Sequence, residues 1–559
     1  MDPPIVSRLV GGALLACLLL VAGPAAGQAM GGMGAGMKET GPGGMWDDLT
    51  YDQSDQSVGI SIYRKGVLPG YRQLTATRAG SPVAPGQTAC ANCHQRSGLG
   101  AREGQQTIPP LTAAALYAPK PGVRRAYTDE TLAAAIRDGI DPDGRELSPL
   151  MPRYPMQPDE LAGLIDYLKT LVARPSPGVV DSVIHLGTVV AEDVPPASRQ
   201  AMLDVMQGYL NELNGGSASV SAEQSARPTA PTQGAASSMR WQLHVWTLSG
   251  TAQNRRSQLQ AYYKQRPVFA LVGGLSADTW LPVHQFCQQV KVPCLFPNTN
   301  VPVSGAAAFY TLYFDRGSVL KAQILARYFN DHAREFSAGR IVQILPGDWS
   351  GYEPAAALRQ AIGNRGAASR RVTDLVLQPG ARIPAEYWRQ VLDPKGTGAL
   401  VLWMDDPDLA GLAEVAGERD LPPIFLAANP YSGRLPASDP RLSGKLRFVS
   451  TLDPATPASA RWAAWMRSHH LTQSEPLLQA NTYFVMSLID EAVKTNGGDF
   501  TSERLIERIE YSAGSVVPHP MLASLSLGMG QRFAVKGGYI LTRADATGAV
   551  SALTDLVVP

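Results

Sequence analysis

The hydrophobic and polar positions change pattern three times along the chain. An apolar run from Leu9 to Ala22 comes first, behind Arg8 and ahead of the small residues Ala25-Ala26-Gly27. The run is interrupted by Gly11-Gly12 and falls short of the roughly 18–20 apolar residues that a membrane span needs, so residues 1–27 read as an export signal. Residues 28–58, with Met30, Met33, Met37 and Met45 among glycines, have no periodicity and read as a flexible segment rather than a Cu(I) site, since no Cys or His accompanies the thioethers. Then Leu161, Leu164, Ile165, Leu168 and Leu171 recur at helical spacing behind Pro158, Asp159 and Glu160, which predicts an amphipathic helix closing a compact unit over 59–172. Ala173-Arg174-Pro175-Ser176-Pro177-Gly178 predicts a short, stiff linker over 173–180.

From Asp181 the pattern becomes an alternation of β-rich runs and amphipathic helices, the signature of parallel sheets covered on both faces. The first lobe is expected to hold strands Val183 to Val190, Trp241 to Leu248 and Val268 to Val272, and a helix through Met202, Met206, Leu210 and Leu213 that stops at Gly215-Gly216. Ser217 to Ser238 reads as a surface insertion. The second lobe is expected to hold strands Ile341 to Leu345, Val372 to Leu377, Leu400 to Met404 and Ile424 to Leu426; further on come a helix from Ala480 to Lys494 and a hairpin over Arg532 to Thr542, broken at Gly537-Gly538.

The length of 559 residues implies several folding units at roughly 150 residues each. Lys+Arg 49 against Asp+Glu 48 leaves a net charge of +1, so no global field recruits nucleic acid or an anionic membrane. Gly 54 and Pro 44 together stay under a fifth of the chain, below the roughly 25–30% of low-complexity sequences. Of 5 cysteines, Cys17 lies inside the signal, where Leu14-Leu15-Ala16-Cys17 offers a lipid anchor as a minor alternative to cleavage near Gly27. Cys287 and Cys294 are expected across a tight helix-to-strand connection, where they would be either a disulfide or two buried thiols.

Cys90-Ala91-Asn92-Cys93-His94 carries the chemistry of covalent haem attachment: two thiols at this spacing add to the haem vinyl groups, and the next residue brings its imidazole to the iron. A thioredoxin-like pair or half a zinc site would leave His94 unexplained. The chain holds one such pentapeptide, so one covalent haem c is expected. For the sixth ligand, the proline-stiffened loop Leu147-Ser148-Pro149-Leu150-Met151-Pro152 offers Met151, with Met156 as its rival. With CxxCH early, Met-Pro late and a closing helix containing Tyr167-Leu168, residues 59–171 resemble the all-α class I cytochrome c domain. That resemblance implies that a carbonyl in Ile108-Pro109-Pro110-Leu111 accepts the ring proton of His94. Arg153 and Tyr154 would meet a haem propionate or serve the surface.

The order of strands and helices over Val183 to Thr542, the run Val268-Phe269-Ala270-Leu271-Val272-Gly273-Gly274-Leu275-Ser276, and Gly347-Asp348-Trp349-Ser350-Gly351-Tyr352 resemble the α/β bilobal type 1 periplasmic solute-binding fold of ABC receptors for branched-chain amino acids and amides. The resemblance implies a module over 181–559 whose cleft is lined by Ser276, Tyr352 and Asp405, with Ser276 and nearby N–H groups receiving an anion. Each has a plainer reading as a cap or a packing residue. Ala191-Glu192-Asp193-Val194-Pro195-Pro196 lacks the family's Gly-Pro turn, and 215–240 lacks its Gly-rich stretch. No HExxH, GxSxG or Walker loop occurs, and His185, His244, His469 and His470 read as structural.

The sequence therefore predicts an exported, non-enzymatic fusion, periplasmic and without a membrane span once the signal is removed. It transfers single electrons with a periplasmic dehydrogenase or cytochrome as partner, and its binding lobes dock that partner or couple the haem to a small amino-acid-like ligand. The alternatives are an ABC-type receptor with an accessory haem domain, and a subunit of a periplasmic dehydrogenase system. No nucleic acid partner is expected.

Overall fold

The computed structural model describes residues 57–103, 106–171, 175–224, 239–277, 279–299, 301–303, 308–336, 339–347, 349–363, 372–377, 383–392, 396–404, 409–427, 439–442, 444–496, 498–522, 525–543 and 550–559. The expected signal, Cys17, the Met-rich segment and Asp405 lie outside them.

Helices α1 (Val58–Lys65), α2 (Ala91–His94), α3 (Ala113–Tyr117), α4 (Asp129–Arg137) and α5 (Pro158–Thr170) build the first domain, with only short two-stranded ribbons between them. Ser57 caps α1 by accepting from the Ile60 N–H, and Gly66 ends it at a φ of 64°. At the start of α5, Pro158 fills the first turn and Gln157 and Glu160 form a reciprocal capping box. The two helices cross at glycines. A Cβ on Gly59 would lie 2.1 Å from the Gly163 carbonyl oxygen and 2.6 Å from Tyr167 Cβ. This backbone contact seats Ile62 and Tyr63 against Leu164, Ile165 and Leu168 in the domain core.

The expected linker is partly absorbed into the module. Ser176 N–H donates to the Phe500 carbonyl at 2.7 Å, and β1 (Val179–Val180) pairs antiparallel with β2 (Val183–Ala191). A Cβ on Gly178 would lie 2.0 Å from the Phe269 nitrogen, so only glycine passes there.

In lobe one, β2 carries parallel partners on both sides, with β3 (Arg240–Leu248), β4 (Ala270–Val272), β5 (Leu275–Ser276), β6 (Cys294–Leu295), β7 (Asn298–Thr299) and β8 (Thr311–Leu312) completing the sheet. Its helices are α6 (Pro196–Gln224), α7 (Ala252–Gln265) and α8 (Leu281–Val290). The chain then crosses to lobe two, where α9 (Ser318–Asp331), α10 (Trp349–Gly363), α11 (Ala385–Val391) and α12 (Ala410–Ala416) alternate with β9 (Arg340–Pro346), β10 (Val372–Leu377), β11 (Thr397–Leu402), β12 (Ile424–Leu426) and β13 (Leu446–Ser450). These strands run parallel in the order β10-β9-β11-β12-β13. After α13 (Ala460–Ser468), α14 (Pro476–Lys494) packs on α6, and α15 (Ser502–Ser512) packs on α14. A last crossing leads to β14 (Tyr539–Arg543) and β15 (Val550–Ala552), which extend the lobe-two sheet antiparallel. One apolar cluster unites β2 and β4 with α14, α15 and the inner side of β9.

Two expectations are corrected. Helix α6 does not stop at Gly215-Gly216 but runs to Gln224: glycine costs a helix interior about 1 kcal/mol without forbidding it, and the Ser/Ala-rich residues that follow continue the turn. The stretch 532–542 is not a hairpin. Arg532 and Ala534 bond to Tyr313 in lobe one, whereas Tyr539 and Thr542 already pair with Ser450 and Arg447 in lobe two. Gly537-Gly538 marks a tight crossing, where added Cβ atoms would lie 2.6 Å from the Val557 oxygen and 2.5 Å from the Ser450 oxygen.

Since backbone cannot yield as a flexible side chain does, Gly59→Ala is expected to force α1 off α5 and cost the first domain about 1–3 kcal/mol, read as a lower midpoint of its thermal unfolding.

Candidate functional site

The turn bearing Cys90 and Cys93 is wound by Cys93 N–H and His94 N–H donating to the Cys90 carbonyl, at 3.2 and 2.9 Å. Cys90 stands at the N-cap and Cys93 within the short helix, which ends in His94, a residue 8% exposed. His94 Nδ1 stands 2.9 Å from the Pro109 carbonyl oxygen. A carbonyl only accepts, so Nδ1 carries the proton and Nε2 keeps its lone pair for a metal. Burial also lowers the pKa of His94, favouring the neutral, ligating form. Desolvation likewise pushes the Cys90 thiol up to about 12. Covalent haem fits this donor set.

The neighbouring backbone fixes the geometry. Gly100 N–H donates to the His94 carbonyl at 3.1 Å and Leu111 N–H to the Gly98 carbonyl at 2.7 Å. A Cβ on Gly100, whose φ is 74°, would lie 2.1 Å from the Ile108 oxygen. The loop after CxxCH is therefore pressed against the segment that holds the proximal ring. In the loop before the closing helix, Met151 is half-buried, and its carbonyl accepts from Arg153 Nη1 at 2.6 Å, while Arg153 Nη2 donates to Leu147 O at 3.0 Å. Arg153 thus braces the loop from within. Met156, 7% exposed, packs in the helical core beside the buried Tyr154.

Between the lobes lies a cleft of about 350 Å³, with Ser276, Asn298, Thr299, Asp315, Ser450 and Asn481 among its polar walls. Ser276 closes β5 and is 7% exposed. Asp315 stands where the chain leaves lobe one: its Oδ1 accepts the Gly317 N–H at 2.6 Å, and burial raises its carboxyl above the usual range. Asn481 Nδ2 donates to Asn298 Oδ1 at 2.8 Å, while Asn481 Oδ1 stands 2.9 Å from His519 Nε2. Of the residues expected at this cleft, Ser276 is there. Tyr352 is 46% exposed in the first turns of α10, outside the cleft walls.

Cys287 and Cys294 are buried free thiols, and Trp280 Nε1 donates to Cys294 Sγ at 3.3 Å. His185 Nδ1 lies 3.0 Å from His244 Nε2 across adjacent strands; burial lowers both pKa values. Among the described residues no group of three or more His, Cys, Asp or Glu converges on a metal position, and no helix is long and apolar enough to cross a membrane.

Sequence reasoning missed the seam between the two parts. Glu507 of α15 accepts both the Ser97 N–H, at 2.7 Å, and the Ser97 hydroxyl, at 2.8 Å. Arg504 Nη1 donates to the Gly100 carbonyl at 3.0 Å, and the Arg96 guanidinium lies over the Phe309 ring at 4.2 Å. The signal was Glu503, Glu507 and Glu510 at helical spacing. Such an acidic stripe ordinarily faces water; here Glu503 meets Tyr310 and Glu510 meets Arg532.

Haem-attachment chemistry on a small helical domain, joined to two parallel-sheet lobes around a cleft, defines a haem-binding and solute-binding fusion. The Cytochrome c family model matches residues 79–172 and the Periplasmic binding protein family model matches residues 249–522, so the chain joins a cytochrome c domain to an α/β periplasmic binding protein module. Members of both families are generally exported and generally not enzymes. No curated protein matches the chain. Among solved structures it is similar to a solute-binding protein of an ABC transporter from Rhodopseudomonas palustris BisB5 in complex with 3,4-dihydroxybenzoic acid, at 12% identity and a TM-score of 0.49 over 68% of this chain and 97% of that one. It is also similar to a fatty acid ABC transporter substrate-binding protein from Thermomonospora curvata, at 16%, 0.48, 69% and 95%. A third similar structure is a branched-chain amino acid transporter substrate-binding protein from Streptococcus pneumoniae in complex with isoleucine, at 14%, 0.47, 67% and 100%.

Burial, which raises the Cys287 pKa, is expected to keep both Cys287 and Cys294 unlabelled by iodoacetamide in the native protein and to release both for labelling in denaturant without reductant. Failure to label in denaturant would mean that a disulfide joins them.

Proposed function

We propose that the protein is an exported mono-haem c-type cytochrome that transfers single electrons, its binding module docking a periplasmic dehydrogenase or cytochrome or coupling the haem to a small ligand. The observation that carries this reading is the proximal seat: Cys90, Cys93 and an imidazole already oriented by Pro109. When bound, the haem supplies reversible one-electron chemistry. Cys90 and Cys93 would hold it covalently, and His94 Nε2 would ligate its iron. The bond from Nδ1 to Pro109 makes the imidazole a stronger donor and stops ring rotation. A single CxxCH supports one haem. For the distal position, a half-buried Met151 on a braced loop supports Met151 over Met156, which the core already uses.

Protein matured in a host that attaches c-type haem should keep the haem mass after denaturation, and its loss would end the reading. Met151→Ala is expected to abolish the six-coordinate low-spin spectrum. Met156→Ala should preserve that spectrum while costing about 2–5 kcal/mol of stability, as buried Met truncations do.

The cleft favours a second reading, a receptor for a small amino-acid-like solute. Ser276, Thr299 and Asn298 supply hydroxyl and amide groups for an anionic end, Asp315 an acceptor for a cationic end, and Leu275, Val449 and Leu452 apolar wall. A saturating ligand at about 100 times its Kd stabilises by about 2.7 kcal/mol, so thermal melting against the L-amino acids should reveal one that raises the midpoint, with Ser276→Ala and Asp315→Asn each reducing the rise. No rise across the panel would remove this reading.

A further inference from the structure

We propose that Glu507, a residue of the binding module, is a positioning residue for the proximal haem ligand and exchanges a proton with water in step with the electron. The inference rests on the haem reading above. Glu507 is 7% exposed and spends both carboxylate oxygens on Ser97, three residues beyond His94. From Ser97 the chain runs through Gly98 and Gly100, which bond to Leu111 and to the His94 carbonyl. Gly100 in turn abuts Ile108 and Pro109, and the Pro109 carbonyl accepts the hydrogen bond from His94 Nδ1–H. Arg504, one turn earlier on α15, holds the Gly100 carbonyl. Two side chains of one helix, from outside the haem domain, thus fix both ends of the loop that braces the proximal ligand.

The charge balance around Glu507 is close. On its own helix stand Arg504 at 3.7 Å, Arg508 and Glu510. The haem domain contributes Ser97 and Tyr63, with Arg96 engaged on Phe309. The rest of the module contributes Arg532, committed to Glu510, and Tyr310, committed to Glu503. Burial raises the Glu507 carboxyl to about 7, against the opposing pull of Ser97 and Arg504. Both charge states are therefore accessible near neutrality. When a one-electron mediator delivers an electron to the iron, the local charge falls by one and Glu507 takes one proton from water; when the electron leaves, that proton returns to water.

The test is a mediated spectroelectrochemical titration of the full-length holoprotein at pH values on either side of about 7. Proton uptake on reduction makes the midpoint potential fall as pH rises through that window. Glu507→Gln keeps the shape and an acceptor for Ser97 but cannot titrate, so the slope should vanish there. An unchanged slope in Glu507→Gln overturns the proposal. Should that variant fail to mature, redox-difference infrared spectra of the unaltered protein decide: a carboxylic acid carbonyl band that grows on reduction near neutrality supports the proposal, and its absence overturns it. Protein without covalent haem would refute the underlying haem reading, whereas covalent haem with a potential flat in pH would refute this proposal alone.

Discussion

A carboxylate taken out of water costs roughly several kcal/mol unless donors replace its hydration. At the seam Ser97 provides two of those donors to Glu507, and it does so from the loop that follows the haem-attachment turn. The two parts of the molecule meet through this exchange, which separation would reverse by returning the carboxylate and Ser97 to water. The neighbouring contacts reinforce it: Arg504 on the Gly100 carbonyl, Arg96 on Phe309, Ser176 on Phe500, and β1 added to the lobe-one sheet. The connection between the domains is consequently a built interface rather than a tether.

Within the haem domain the corresponding constraint is steric. Gly59 and Gly163 let two helix backbones touch, and that contact sets the floor on which Tyr63, Leu164 and Leu168 pack. The proximal loop uses glycine differently. Gly98 and Gly100 adopt positive φ, at 71° and 74°, so that the chain can fold back on Ile108 and Pro109 and still leave the His94 ring one well-aimed acceptor.

Much of this was legible in the sequence. The CxxCH turn and the closing helix follow from spacing and apolar periodicity, and Ile424 to Leu426 was placed to the residue. The carbonyl partner of His94 falls within the four residues expected for it. What escaped were features decided by tertiary contact. Gly215-Gly216 is a stop signal in isolation, yet α6 continues through it. Gly537-Gly538 has the composition of a turn but serves a crossing between lobes, because the obstructing oxygens belong to Ser450 and Val557, one of them nearly a hundred positions away. Tyr352 follows a strand as a cleft residue would, but the helix starting at Trp349 carries it outward. The acidic stripe of α15 is the sharpest case: its spacing is plain, and only the folded partners show that it faces inward.

The seam contacts described above all fall on lobe one: α15, Phe309 and the strands next to β1. The chain links that lobe to lobe two through Phe314 to Gly317, through the residues after Ser450 and through Gly537-Gly538, and these are the places where a hinge can bend. Were the lobes to hinge at these crossings, lobe one would be a stator that carries the haem domain as fixed cargo, and lobe two the rotor. A swing of the rotor would alter the outline the molecule offers to a partner while the distance from the proximal ligand to α15 stayed the same.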